Sequence, residues 1–210
     1  MNDEVVVLLS TLGIAQEVLL QKQRDHLNFL RNVNNGDCRA AFQFLSYCDR
    51  FDVAEKLLFQ GIESVKPTLQ KLVKQEYARM LNKRDEQRCR ILVPNSRLLF
   101  GVCDPHSKGG RAGKLKEGEC FVRITLDGDG NPATIVNTEV MVTRNPCLHP
   151  GDIQKFKAVD IPEFSGQHGL VDCIVFPTRG KRPSADLMSG GDLDGDKCES
   201  HTTLFSKILV

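Results

Sequence analysis

The sequence of 210 residues is 40% hydrophobic and 26% charged, which is typical of a globular protein with one or two domains. The formal net charge is +1, so overall charge favours no class of partner, and any nucleic-acid surface has to be a local patch. The apolar run at residues 5–9 is too short to cross a membrane or to act as a signal peptide. The eight cysteines include no Cys-x-x-Cys pair, which argues against zinc sites and a dense disulfide framework and predicts an intracellular protein with reduced thiols.

Residues 1–89 carry apolar side chains at the three-to-four spacing of amphipathic helices, and we predict a helical segment over this range. The predicted helices are one from Asp3 to Ser10, one from Gln16 to Val33, one capped by Asp37, one from Asp52 to Gly61, and a long one with Pro67 in its first turn. His26 stands between Asp25 and Leu27 and is predicted to lie on the surface. We expect these helices to be structural and to carry no chemistry.

From residue 90 the pattern changes to short apolar runs bounded by Pro, Gly, Asn and Asp, as in β-strands. The predicted strands are Ile91–Val93, Leu98–Val102, Cys120–Ile124, Val140–Val142 and Val171–Phe176. No helical pattern alternates with them, which favours a β-barrel over a parallel sheet with crossover helices. The sequence Asp127-Gly-Asp-Gly-Asn131 has strand-like flanks and predicts a hairpin turn.

The second half of the sequence contains two basic clusters. The first is a glycine-rich loop without acidic residues, suited to binding nucleic-acid phosphates, and its basic residues are Lys108, Arg111, Lys114 and Lys116. The second, suited to nucleotide phosphates, consists of Arg179, Lys181 and Arg182. The alternative for each cluster is a solvated loop or turn without a ligand.

The stretch from Arg144 to Asp152 contains two prolines and a glycine, which exclude a regular element. Arg144 offers a planar, permanently charged group that can bind a carboxylate, a phosphate or a sugar hydroxyl. His149 can donate to a phosphate or cap a neighbouring carbonyl group. Asp152 is predicted to form a turn.

Near the C-terminus, three carboxylates occupy alternate positions at Asp192, Asp194 and Asp196, with glycines before and among them. In extended backbone such residues project to one face, where their mutual repulsion requires a cation. Carboxylate oxygens suit Mg²⁺, with Mn²⁺ as an alternative. A solvated Asp-Gly turn is the other interpretation. An EF-hand is excluded because its sixth and twelfth positions are Lys197 and Thr203.

Five runs of sequence in this order resemble the eukaryotic RNA-dependent RNA polymerases of RNA silencing. They are Gly-Val-Cys-Asp-Pro at 101–105, residues 115–124, Val-Thr-Arg-Asn-Pro-Cys-Leu-His-Pro-Gly-Asp at 142–152, residues 170–177, and Ser-Gly-Gly-Asp-Leu-Asp-Gly-Asp at 189–196. The resemblance implies an α+β protein in which the helical segment, 1–89, precedes an incomplete double-psi β-barrel, 90–210. After Asp196 the family continues into an aromatic and apolar strand, so the tail at 197–210 is expected to be atypical.

The resemblance also implies a reaction. Nucleotidyl groups would pass from nucleoside triphosphates to an RNA 3′-hydroxyl on an RNA template, making double-stranded RNA for silencing, with RNA-silencing proteins as further partners. The three aspartates would hold one Mg²⁺, a second Mg²⁺ would arrive with the triphosphate, and Arg144 would contact the ribose. The partner barrel of the family is expected to precede Met1, so the chain is expected to be a fragment without polymerase activity of its own.

Two other functions stay open from the sequence. One is a non-catalytic remnant that binds RNA or a polymerase partner, in which case the acidic motif has no role in binding. The other is a metal-binding regulatory module, against which the failed EF-hand spacing counts.

Overall fold

The computed structural model describes residues 1, 3–81, 91–93, 96–110, 113–125, 131–166, 169–193 and 197–201. The chain divides into two compact units, a helical unit at residues 1–93 and a sheet unit at residues 94–210. Within the described residues, no helix is both long enough and apolar enough to cross a membrane.

The helical unit confirms the predicted helices. They are α1 (Asp3–Thr11), α2 (Gln16–Asn34), α3 (Cys38–Tyr47), α4 (Phe51–Gln60) and α5 (Ile62–Leu81). Asp37 caps α3 as predicted, because its Oδ1 accepts hydrogen bonds from the amides of Arg39 and Ala40 at 2.9 and 3.1 Å. Buried residues from α2 to α5 share one apolar core, which includes Leu30, Phe44, Leu45, Leu57 and Leu69. The periodicity of the sequence therefore determines both the helices and their packed faces.

Two predictions within the helical unit are wrong. His26 is not on the surface: it is 5% exposed, and its Nδ1 accepts a hydrogen bond from the amide of Leu92 at 3.2 Å. It lies on the apolar stripe of α2, seven residues after Leu19 and four before Leu30, so helical geometry turns it inward. Pro67 lies inside α5 rather than in its first turn, because α5 begins at Ile62.

The predicted strand at residues 91–93 is also absent, because this segment is irregular. Its backbone bonds to other parts of the helical unit: the amide of Ile91 donates to Met1 O at 3.0 Å, and the amide of Leu92 donates to His26. An apolar run predicts burial, and Ile91 and Val93 are indeed buried. No neighbouring strand pairs with them among the described residues, so burial here does not produce a strand.

In the described part of the sheet unit, the chain forms strands and three short helical turns. The strands are β1 (Ser96–Cys103), β2 (Glu119–Thr125), β3 (Pro132–Ile135), β4 (Thr138–Arg144), β5 (Gln154–Ala158), β6 (Cys173–Phe176) and β7 (Lys197–His201). The turns are two 3₁₀ helices, Pro105–Gly110 and Pro150–Asp152, and the short helix α6 (Pro162–Gly166).

These strands form one mixed sheet in the order β3-β2-β5-β4-β7-β1-β6. β6 pairs in addition with β2, so the sheet curls round on itself. β1 runs parallel to β6 and β2 runs parallel to β5, while the other pairs are antiparallel. One apolar cluster in the curled sheet contains Val140, Val142, Phe156, Ile174, Phe176 and Met188. The α+β class with a curled mixed sheet is thus confirmed, and the double-psi connection stays a prediction.

The strand predictions are correct where apolar runs are long and incomplete elsewhere. β1, β2, β4 and β6 match predicted runs, and β2 and β3 form the expected antiparallel pair, although the predicted turn at 127–131 falls mostly outside the described residues. β5 and β7 carry few apolar residues and were not predicted. β7, formed by the first five residues after Asp196, pairs with both β1 and β4. That the tail at 197–210 is atypical of the family stays a prediction.

Cys120 provides a test of the packing in the sheet unit. Burial raises the pKa of its thiol to about 12, with a smaller contribution from the carboxylate of Glu119. The thiolate is the reactive form, so iodoacetamide at about pH 8 should modify Cys120 roughly 1000-fold more slowly than the exposed Cys38 and Cys103. Peptide mapping by mass spectrometry measures the rates, with guanidinium-unfolded protein as the control. Rapid modification of Cys120 in native protein would contradict this packing.

Candidate active site

The acidic motif is approached through a series of turns that begins near Pro183. The amides of Met188 and Gly191 both donate to Ala185 O, at 2.9 and 3.2 Å. Met188 is fully buried in the core of the curled sheet, and Leu193 packs against the same core. The chain is therefore anchored to the sheet on both sides of Asp192.

Asp192 is exposed, whereas Gly191 before it is buried. The backbone bends at Leu193, which has a φ of 65° in the left-handed region. The extended backbone that the sequence analysis expected through the acidic motif is therefore interrupted at Leu193. Asp194 and Asp196 lie outside the described residues.

Ser189, three positions before Asp192, has its amide, hydroxyl and carbonyl groups bonded to the last residue of β4 and to the segment that follows it. Its amide donates to Asp152 Oδ1 at 3.1 Å, and its hydroxyl donates to Pro146 O at 2.6 Å. Arg144 Nη1 donates to Ser189 O at 3.3 Å. We call these three contacts the Ser189 clamp. They place Arg144 beside the chain that leads into the acidic motif.

Asp152 forms the predicted turn and also takes part in the clamp. Its Oδ2 accepts hydrogen bonds from the amides of Leu148 and His149 at 3.0 and 2.9 Å. Partial desolvation opposes ionisation of this carboxyl, but the hydrogen bonds from His149, Ser189 and Leu148 together outweigh it and lower the pKa of Asp152. The contact with Ser189 has no signal in the local sequence.

His149 is exposed and caps the 3₁₀ helix at 150–152. Its Nδ1 accepts a hydrogen bond from the amide of Gly151 at 2.9 Å, so it caps an amide rather than the carbonyl considered from the sequence. That nitrogen acts as an acceptor, which leaves Nε2 as the ring nitrogen able to donate to a phosphate when the imidazole is neutral. Its role toward a substrate stays a prediction.

The structure brings the two predicted basic clusters together. Arg179 Nη2 donates to Gly113 O at 2.7 Å. A Cβ at Gly180 would lie 3.0 Å from Glu117 Oε1, so the chain that follows the first cluster passes close to the second. Residues far apart in sequence thus contribute to one local surface of the sheet unit.

Two of these cations, Lys114 and Arg182, have carboxylate partners. Lys114 Nζ lies 3.0 Å from Glu163 Oε1, and Arg182 Nε donates to Asp186 Oδ2 at 2.9 Å. The remaining predicted residues are Lys116 and Lys181, which are exposed, Lys108, which lies in the 3₁₀ helix at 105–110, and Arg111, which lies outside the described residues. The surface is therefore less positive than the sequence of the two loops indicates.

Asp104 organises the base of the first basic loop, a role that the sequence analysis missed. It is 1% exposed, and its two oxygens accept hydrogen bonds from the amides of His106 and Leu115, each at 2.9 Å. A Cβ at Gly113 would lie 2.7 Å from Asp104 Cγ, so only glycine permits this close approach. The available signal was Asp-Pro directly after a strand, which is typical of a turn.

Comparison with known proteins identifies the family. A sequence model described as RNA dependent RNA polymerase matches residues 1–199. The chain belongs to the RNA-dependent RNA polymerase family. It is similar to RNA-dependent RNA polymerase 2 of Arabidopsis thaliana, with 36% identity over 213 residues, 94% of this chain and 18% of the relative. It is also similar to RNA-dependent RNA polymerase 1 of Schizosaccharomyces pombe, with 28% identity over 227 residues, 100% of this chain and 18% of the relative.

Among solved structures, the RNA-dependent RNA polymerase QDE-1 from Thielavia terrestris matches 67% of this chain and 14% of its own, with 34% sequence identity and a TM-score of 0.51. The similarity supports the helices and curled sheet described above. The chain thus spans less than a fifth of the length of these polymerases.

Asp152 should make the free energy of unfolding of the sheet unit depend on pH. Its folded-state pKa is lowered, so its ionised form stabilises the fold above the unfolded-state value of about 3.9, and this contribution is lost as the pH falls through the folded-state pKa. We expect Asp152→Asn to reduce the free energy of unfolding by about 1–2 kcal/mol near neutral pH, and this difference to shrink below about pH 4.

Urea titrations followed by circular dichroism at several pH values measure this difference. Asp160→Asn, at an exposed aspartate of the same unit, is the matched control and should change stability by less than about 0.5 kcal/mol. A loss that is equal at neutral and acidic pH would show that the charge of Asp152 contributes nothing.

Proposed function

We propose that the sheet unit is the part of an RNA-directed RNA polymerase that carries its catalytic carboxylates, within a double-psi β-barrel. The reaction is nucleotidyl transfer from nucleoside triphosphates to an RNA 3′-hydroxyl on an RNA template, and the product is double-stranded RNA for silencing. The observation that carries this proposal is the placement of Asp192. Its carboxylate is exposed, while Met188 and Leu193 anchor the backbone on either side to the sheet core.

The donor set suits a hard divalent cation. Asp192, Asp194 and Asp196 offer carboxylate oxygens alone, which are the ligands that Mg²⁺ prefers and that Mn²⁺ accepts. Bound Mg²⁺ would supply charge neutralisation at the α-phosphate and activation of the attacking 3′-hydroxyl. The chain itself supplies a fixed turn, so that the exposed carboxylate need not be ordered during the reaction.

The neighbouring residues bind the substrates in this proposal. Arg144 is oriented by its bond to Ser189 O, and in this proposal its guanidinium group contacts the ribose of the incoming nucleotide. His149 donates to a phosphate through Nε2. The triphosphate is bound by Arg179, Lys181 and Arg182, and the RNA backbone by Lys108, Arg111, Lys114 and Lys116.

Phosphate binding at this surface replaces existing ion pairs. Lys114 and Arg182 already have carboxylate partners in Glu163 and Asp186. Both pairs are solvent-exposed and contribute little to stability, so a nucleic-acid phosphate can displace the carboxylate at low cost. Binding of the RNA backbone should weaken as salt rises, because each phosphate that a lysine or arginine neutralises releases condensed counterions.

The chain corresponds to 18% of the length of the Arabidopsis relative, and we propose that these 210 residues alone do not synthesise RNA. The test is a chimera in which they replace the matching segment of that relative. We expect template-dependent incorporation of labelled nucleotides by the chimera and none by the isolated chain. Asp192→Ala or Asp194→Ala in the chimera should lower the rate at least roughly 100-fold, because the cation supplies several kcal/mol of transition-state stabilisation.

Glu139→Ala is the matched control for this assay. It also removes one carboxylate from the sheet unit, but Glu139 pairs with Lys155 at the opposite end of β4 from Arg144, so activity should be retained. A chimera that remains fully active without Asp192 and Asp194 would refute the proposal. RNA binding by the chain that is unaffected by Asp192→Ala, together with an inactive chimera, would instead indicate a non-catalytic RNA-binding role.

A further inference from the structure

We infer that Asp152 is a positioning residue for the metal site, acting through Ser189 to hold the backbone that presents Asp192. This inference rests on the function proposed above and adds a residue to its machinery. Asp152 contacts neither metal nor substrate in this role. In this inference its carboxylate fixes the position of the backbone that leads into the acidic motif.

The first step is that the clamp determines the conformation of Ser189. Ser189 has a φ of 53°, in the left-handed region that L-residues avoid unless surrounding contacts enforce it. Its amide, hydroxyl and carbonyl each bond to the segment at 144–152. These contacts hold Ser189 in a conformation that a free loop would rarely adopt.

The second step concerns the two glycines between Ser189 and Asp192. Gly190 and Gly191 separate Ser189 from Asp192, and Gly190 has a φ of 67° with open space around it. Glycines restrict the backbone least of all residues. Within this segment the amides of Gly190 and Gly191 donate to Asp186 O and Ala185 O, both at 3.2 Å. The clamp therefore acts together with these bonds, and with the packing of Leu193 on the sheet core, in determining the path to Asp192.

The third step concerns why the residue is an aspartate. Its Oδ2 accepts from two amides of its own turn, which orient the carboxylate independently of the acidic motif, and Oδ1 is left to accept from Ser189. An ionised carboxylate accepts hydrogen bonds on both oxygens and carries no donor. In asparagine one of these positions becomes an NH₂ group, which would face a backbone N–H. Asparagine can therefore satisfy only one of the two segments.

The experiment measures Mn²⁺ binding to the purified 210-residue chain by electron paramagnetic resonance, at a temperature where circular dichroism shows every variant to be folded. The variants are Asp152→Ala, Asp152→Asn, Asp192→Ala and Glu139→Ala. We expect Asp192→Ala to remove specific binding and Asp152→Ala to raise the Mn²⁺ dissociation constant roughly ten-fold, as for residues that orient metal ligands. Asp152→Asn should give a smaller increase, and Glu139→Ala should bind as the wild type does.

A purely structural role would not give this result, because folded molecules would then bind Mn²⁺ with unchanged affinity. If Asp192→Ala weakens binding but both Asp152 variants bind normally, the positioning role is overturned and the proposed function stands. If Asp192→Ala leaves Mn²⁺ binding unchanged, the proposed metal site fails, and the inference fails with it. Should Asp152→Ala not fold, the milder Asp152→Asn decides, with wild-type affinity again overturning the inference.

Discussion

The carboxylate of Asp152 joins two segments that are distant in sequence. One oxygen accepts hydrogen bonds from the turn after β4, and the other accepts from Ser189 on the approach to the acidic motif. An ionised carboxylate suits this position because it accepts several N–H bonds at once, and charge-assisted bonds are stronger than neutral ones. The carboxylate of Asp152 is therefore one of the contacts that determine the path of the chain into the candidate active site.

The curled sheet makes this contact possible by holding both segments on one core. Val140 and Val142 of β4 are buried in the same apolar cluster as Met188, which directly precedes Ser189. Hydrogen bonds of about 1 kcal/mol each cannot offset the entropy of ordering two free loops. Burial of the apolar anchors orders the loops, and the polar contacts then select one arrangement.

The surface that carries the two basic clusters is also held together by contacts between segments that are distant in sequence. Buried Asp104 joins the two ends of the first basic loop, and Arg179 bonds to the backbone of that loop at Gly113. The carboxylates of Glu163 and Asp186 form ion pairs with Lys114 and Arg182, two of the cations in these clusters. The local field is therefore weaker than a count of lysines and arginines indicates. In the proposed function, a phosphate bound there takes the place of a carboxylate.

The sequence by itself determined the helices, the Asp37 cap and the strands with apolar runs, because each is encoded by residues a few positions apart. It also determined the acidic motif and the family resemblance, which depend on the identity and order of residues. Strands β5 and β7 escaped prediction because each carries few apolar residues, and their pairing with neighbouring strands defines them. His26 was predicted to be exposed because Asp25 precedes it in the sequence, whereas the helix places it on the same buried stripe as Leu19 and Leu30. Only the tertiary structure decided the clamp, because the bond between Asp152 and Ser189 crosses 37 positions and exists only once the sheet core has brought the two segments together.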